Sequence, residues 1–147
     1  MAVPYRMKKL IICLFFLPFS LRAGFDNLQV PGNFHVREGT WPILLERTIG
    51  IMDTTYFLTF RDEQVLTSVV MDTVPFPNLK QLRFFQQALT ALRAGHNGDE
   101  AKFKGYSIKR ADVKRESTWY ILRHDQWGLT NFQQPEADLM INAIKTY

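Results

Sequence analysis

The pattern of apolar and polar positions divides the chain beyond residue 24 into strands, a helix, more strands and a last helix. Thr55 to Phe60 sets Tyr56, Leu58 and Phe60 on one face and Phe57 and Thr59 on the other, the period-two alternation of a half-buried strand. The polar turn Arg61-Asp62-Glu63-Gln64 follows, and Val65 to Met71 resumes as β-branched sequence. These two segments are expected to pair as an antiparallel hairpin. Pro75-Phe76-Pro77-Asn78 then stops the sheet, with Asn78 as the N-cap of a helix. Leu79, Leu82, Phe85, Leu89 and Leu92 recur at helical spacing, and Gly95 suits a left-handed residue just past the end.

A second β section covers Lys102 to Val113, Thr118 to His124 and Gly128 to Phe132. Pro135 fits the first turn of a closing helix. Glu136 and Asp138 favour its N-terminal end, while Leu139, Met140, Ala143, Ile144 and Tyr147 share a face. Ahead of all this, residues 24–40 are rich in turn residues, with a short strand at Phe34–Val36, and Trp41 to Arg47 reads as a strand.

The two β sections echo one another. Thr55-Tyr56-Phe57-Leu58 matches Thr118-Trp119-Tyr120-Ile121 in residue type, and Arg61-Asp62-Glu63-Gln64 matches Arg123-His124-Asp125-Gln126. Each copy precedes an amphipathic helix, as a ββα duplication would have it; aromatic hairpins joined by charged turns would also look alike. The expected fold is α+β: a single antiparallel sheet of about five or six strands, with two amphipathic helices packed on one face. The absence of a Gly/Ser/Pro-rich linker argues for one domain over residues 24–147.

The first 23 residues have the form of a cleavable secretory signal. Arg6, Lys8 and Lys9 make a positive start, Leu10 to Leu17 is an unbroken apolar run, Pro18 breaks it, and Ala23 offers a small residue for cleavage before Gly24. Leu21 is large for the third position before the cut, and Met7-Lys8-Lys9 also fits a translation start. The apolar run is far short of the roughly 20 residues that a membrane span needs, so no anchor is expected after cleavage. The expected compartment is the bacterial periplasm, with release to the medium as the alternative.

Cleavage changes the charge balance. The full chain holds 18 Lys and Arg against 14 Asp and Glu. Four of those cations (Arg6, Lys8, Lys9, Arg22) and no acid lie in residues 1–23, leaving fourteen against fourteen. Overall charge therefore lends no support to nucleic acid or an anionic membrane as partner. The one cysteine, Cys13, lies in the same segment, so the exported domain is expected to have neither a disulfide nor a thiolate nucleophile.

Candidate chemistry is sparse. His35, His96 and His124 lack metal-ligand spacing, and no phosphate loop, nucleophile elbow or dinucleotide motif occurs. No metal or cofactor is implied. Lys102, Lys104, Lys109, Arg110, Lys114 and Arg115 cluster in one stretch, interleaved with or beside Tyr106 and Trp119. Cations with aromatic platforms suit an acidic protein partner or single-stranded nucleic acid, while lysines on a solvated strand also simply guard its edge. Trp127, in a turn, is a further contact candidate.

The expectation is therefore a non-catalytic envelope protein that binds another protein, of the immunity, inhibitor or assembly-factor type. A small periplasmic hydrolase is the alternative, with His124 and a distant carboxylate as its candidate site. Polyanion binding through residues 102–120 is third.

Overall fold

Alternation of apolar and polar residues builds two antiparallel sheets of the same plan, each followed by a helix. The computed structural model describes residues 33–113, 117–124 and 128–147. The expected signal segment, its cleavage site and the contact candidates Lys114, Arg115 and Trp127 lie outside them.

The first sheet is a meander of β1 (Phe34–Arg37), β2 (Ile43–Ile49), β3 (Thr54–Arg61) and β4 (Met71–Phe76), in that spatial order, and α1 (Leu79–Ala94) follows. The second is β5 (Glu100–Phe103), β6 (Tyr106–Val113), β7 (Ser117–His124) and β8 (Leu129–Gln133), followed by α2 (Gln134–Lys145). The echoing tetrapeptides fall in β3 and β7, each the third strand of its sheet. The topological repeat is thus four strands and a helix, longer than a ββα unit.

The α+β architecture stands, with antiparallel pairing and two helices, but the single sheet of five or six strands is replaced by two sheets of four. Backbone hydrogen bonding explains the break. The outer edge of β8 is one at which a continuous sheet could go on, and side chains occupy it. Leu129 gives its N–H to the Asp62 carboxylate at 3.0 Å, and Asn131 gives its N–H to Glu63 at 2.9 Å. The Asn131 carbonyl accepts from the Arg37 guanidinium at 2.6 Å, and the Gln133 N–H goes to Glu136 at 2.7 Å. The Leu129 carbonyl receives a backbone donor from the β3–β4 connection, the Glu63 N–H at 2.8 Å. With its edge groups satisfied in this way, β8 has no reason to accept another strand.

Two strand expectations also shift. The hairpin partner of β3 is residues 71–76, not 65–71: Leu58 faces Val74, and Tyr56 faces Phe76. That register buries Val74 and Phe76 and leaves Leu66, Val69 and Val70 exposed in the connecting loop. Pro75 is tolerated because β4 is an edge strand, where a missing N–H need not break a ladder. The expected strand from Lys102 is instead a tight hairpin: β5 pairs with β6 across Lys104-Gly105, and Gly105 takes a left-handed φ of 95°.

Helix ends follow from their caps. The Asn78 side chain accepts the Gln81 N–H at 3.0 Å, as its N-cap position requires. Gly95 is extended rather than left-handed. The last carbonyls of α1 are met from outside by Arg110 of β6, which reaches Leu92, Arg93 and Gly95 oxygens at 2.7–2.9 Å. A left-handed cap therefore has little left to satisfy.

The helices lie against one face of the sheets and against each other; α1 touches strands of both sheets, as does α2. The stripe Leu82, Phe85, Leu89 and Leu92 is buried as its spacing predicts. On α2 the buried face is Ala137, Met140, Ile141, Ala143 and Ile144, whereas Leu139 is exposed. Phe85 packs on Phe76 of the first sheet at 5.2 Å and on Tyr106 of the second at 6.3 Å between ring centroids. A single hydrophobic cluster thus draws on both sheets and both helices.

Candidate functional site

The helix layer covers one face of the second sheet and leaves the other open. Because side chains alternate, Tyr106, Ile108, Tyr120 and Leu122 point into the core. On the opposite face, Ala111 and Val113 of β6 with Trp119 and Ile121 of β7 floor a groove of about 630 Å³. Cross-strand register sets this floor: Ala111 faces Trp119, which in turn faces Gln133, and Lys109 faces Ile121, which faces Asn131.

The groove wall comes from the first sheet. Trp41, in the connection between β1 and β2, lines it, and the Arg61 guanidinium lies over the Trp41 ring at 4.0 Å from the centroid. Arg61 is itself held by the Thr40 carbonyl at 2.9 Å. Trp119 is fixed too, its indole N–H donating to the Ser117 hydroxyl at 3.0 Å. The site therefore presents two oriented tryptophans rather than two mobile ones.

Polar groups at the groove are mostly used internally. Arg37 donates from Nε and Nη2 to the two Glu136 oxygens at 2.5 and 2.8 Å and forms an ion pair with Glu63 at 3.7 Å. Glu63 also accepts from the Thr130 hydroxyl and the Asn131 amide. Burial pushes the Glu136 carboxyl up, but the Arg37 hydrogen bonds, the Gln133 N–H and the Arg37 charge outweigh it, leaving the group below its ordinary value. A carboxylate held ionised in this way is ill suited to donate a proton. The available surface is the apolar floor and the tryptophan rings.

The sequence-derived candidates separate into four groups. Lys102 and Lys109 are exposed on the open face of the second sheet, and Trp119 is in the groove itself. Lys104 is exposed in the β5–β6 turn. Tyr106 is a core residue stacked on Phe103 at 4.6 Å, and burial pushes its hydroxyl well above the usual range. Arg110 caps α1 and pairs with Asp112 at 2.9 Å. Sequence reasoning missed Trp41 and Ile121; period-two alternation from Trp119 was the available signal for Ile121.

His124 does acquire a distant carboxylate. Its Nδ1 lies 2.9 Å from Asp72 Oδ2, joining β7 to β4. Asp72 also accepts the Thr73 N–H at 2.7 Å, and it packs so closely on Gly128 that a Cβ there would collide with the carboxylate. Neither His124 nor Asp72 lines the groove. Among the described residues no set of three His, Cys, Asp or Glu side chains is grouped to hold a metal, and no helix is long and apolar enough to cross a membrane.

Comparison with protein-family models, curated proteins and solved structures finds no match for the chain.

Proposed function

We propose that the protein is an exported, non-catalytic envelope protein that acts by binding another protein through the open face of its second sheet. The observation that supports this most directly is the groove: two oriented tryptophans around an apolar floor, with the nearby charged groups already paired. Half-buried aromatic anchors in a partly desolvated pocket are what hot spots of protein interfaces are made of. Periplasmic residence, with release to the medium as the alternative, fits the form of residues 1–23.

The mode of binding follows from the strand edges. β8 is capped by Asp62, Glu63, Arg37 and Glu136. On β4, Thr73 gives its N–H to Asp72 and Pro75 has none to give. Strand addition is blocked at those two edges, and the groove offers side chains for docking on a face. The test is capture with the protein, expressed from the full chain, as bait in envelope extract. A single stoichiometric partner lost on Trp119→Ala, with the melt unchanged, is expected. A partner retained by that variant would refute the assignment of the face.

The His124–Asp72 pair favours a second reading, a small hydrolase. A carboxylate on Nδ1 sets the tautomer that leaves Nε2 as a base. This reading requires that His124→Gln abolish hydrolysis of a model ester or amide substrate without lowering the melting temperature.

A further inference from the structure

The open face of the second sheet is apolar at one end and cationic at the other, and this gradient runs along a single strand. Trp119, Ile121 and Arg123 occupy alternate positions of β7, and Lys109 stands directly across from Ile121 on β6. Lys109 and Arg123 are both exposed. Glu100 stands opposite Lys109 and pairs with Lys102 at 3.4 Å, and the groove acids Glu63 and Glu136 are both tied to Arg37, so Lys109 and Arg123 are the cations left facing outward on this face. Trp41 also lines the groove.

We infer that the groove and the cationic strand positions next to it take an extended acidic segment of a partner protein, with apolar side chains over Trp119 and Ile121 in the groove and a carboxylate beyond it, over Arg123 and Lys109. This rests on the protein-binding reading above and adds the chemistry of the partner. Two residues of strand advance about 6.6 Å, so Trp119 and Arg123 are about 13 Å apart along β7. An extended peptide repeats its side chains at the same period on one face. The segment that fits has apolar residues at i and i+2 and Asp or Glu at i+4, or the same order reversed if it runs the other way. Charge complementarity selects this occupant: a basic segment would meet Lys109 and Arg123, and a purely anionic polymer would leave the tryptophan groove unfilled.

The test is calorimetric titration of the protein with eight-residue capped peptides. One carries Leu at i and i+2 and Glu at i+4, one has that order reversed, one replaces Glu with Lys, and one replaces Leu with Ser. An oligothymidylate serves as the polyanion control. Saturable binding of an acidic-apolar peptide is expected in one chain direction, at least tenfold tighter than the Lys or Ser peptides or the oligonucleotide. Lys109→Glu/Arg123→Glu, both changes being at exposed positions, should invert the Glu-over-Lys preference, with circular dichroism confirming the fold. Equal binding of the Lys peptide, equal binding of the oligonucleotide, an uninverted preference, or no peptide binding at all would each overturn the inference. Its failure is distinguishable from failure of the functional reading. If no peptide binds but a stoichiometric partner is still captured, only the partner chemistry falls; loss of both removes the binding role itself.

Discussion

Replacing Arg37 with methionine removes the cation that ties β1 of the first sheet to β8 and α2 in the second half of the fold. The guanidinium gives Glu136 two hydrogen bonds of 2.5 and 2.8 Å and the Asn131 carbonyl one of 2.6 Å, and it lies 3.7 Å from Glu63. Its side chain is 22% exposed and that of Glu136 18%, so water can recover only part of what is lost. Breaking a buried pair costs about 3–5 kcal/mol, because the surviving charge is left uncompensated. Partial exposure lowers the expected cost to roughly 2–4 kcal/mol. Since each kcal/mol shifts the midpoint of a unit of this size by roughly 3–6 °C, the melt should fall by about 10 °C.

The pH dependence has a definite sign. The folded-state value of Glu136 is depressed, so its contribution is fully present above the ordinary glutamate value of about 4.3 and is lost as pH falls through the lower, folded value. Urea unfolding followed by tryptophan fluorescence should therefore show the gap between the parent protein and Arg37→Met at pH 7 and its narrowing below about pH 4. Glu136→Gln should share the loss, with the double variant costing less than the two changes added together. An Arg37→Met protein within about 0.5 kcal/mol of the parent at pH 7 would refute this account of the seam, as would a gap that stays constant into acid.

Three further substitutions probe other links. Phe85→Ala should cost about 3–5 kcal/mol in urea unfolding, because Phe85 is fully buried and joins Phe76 to Tyr106 across the two sheets. Gly128→Ala should cost about 1–2 kcal/mol for its left-handed backbone alone. It should also move the His124 ring resonances in NMR, since the added methyl must displace Asp72. Arg110→Met should lower the melting temperature and speed amide exchange selectively in the last turn of α1, whose carbonyls lose their donor; unchanged exchange there would contradict the capping role.

Much of the local structure was legible because it depends on near neighbours. The faces of β3 and α1, the Asn78 cap and the helix beginning near Pro135 all follow from periodicity and cap chemistry read over a few residues. The echo between Thr55–Leu58 and Thr118–Ile121 suggested a repeat of ββα units, and the two segments fall in the third strand of each four-stranded sheet. The pairing of β3 with 71–76 was not legible. Val65–Met71 has the higher β-propensity, but only burial of Val74 and Phe76 against α1 and the second sheet decides between the two registers. The roles within the basic-aromatic cluster diverged for the same kind of reason. Alternation can tell which residues share a face, but not that Tyr106 belongs to the core side or that Arg110 bends over the end of a helix.

The sequence by itself determined the faces of β3 and α1, the start of α2 and the neutral balance left once residues 1–23 are set aside, since all of these are sums over local composition or spacing. Tertiary structure alone decided that there are two sheets instead of one. Asp62, Glu63, Arg37 and Glu136 are up to 99 residues apart, and only the fold brings them to the edge of β8. There they take the hydrogen bonds that another strand would have used, beside the groove that Trp119 and Trp41 both line.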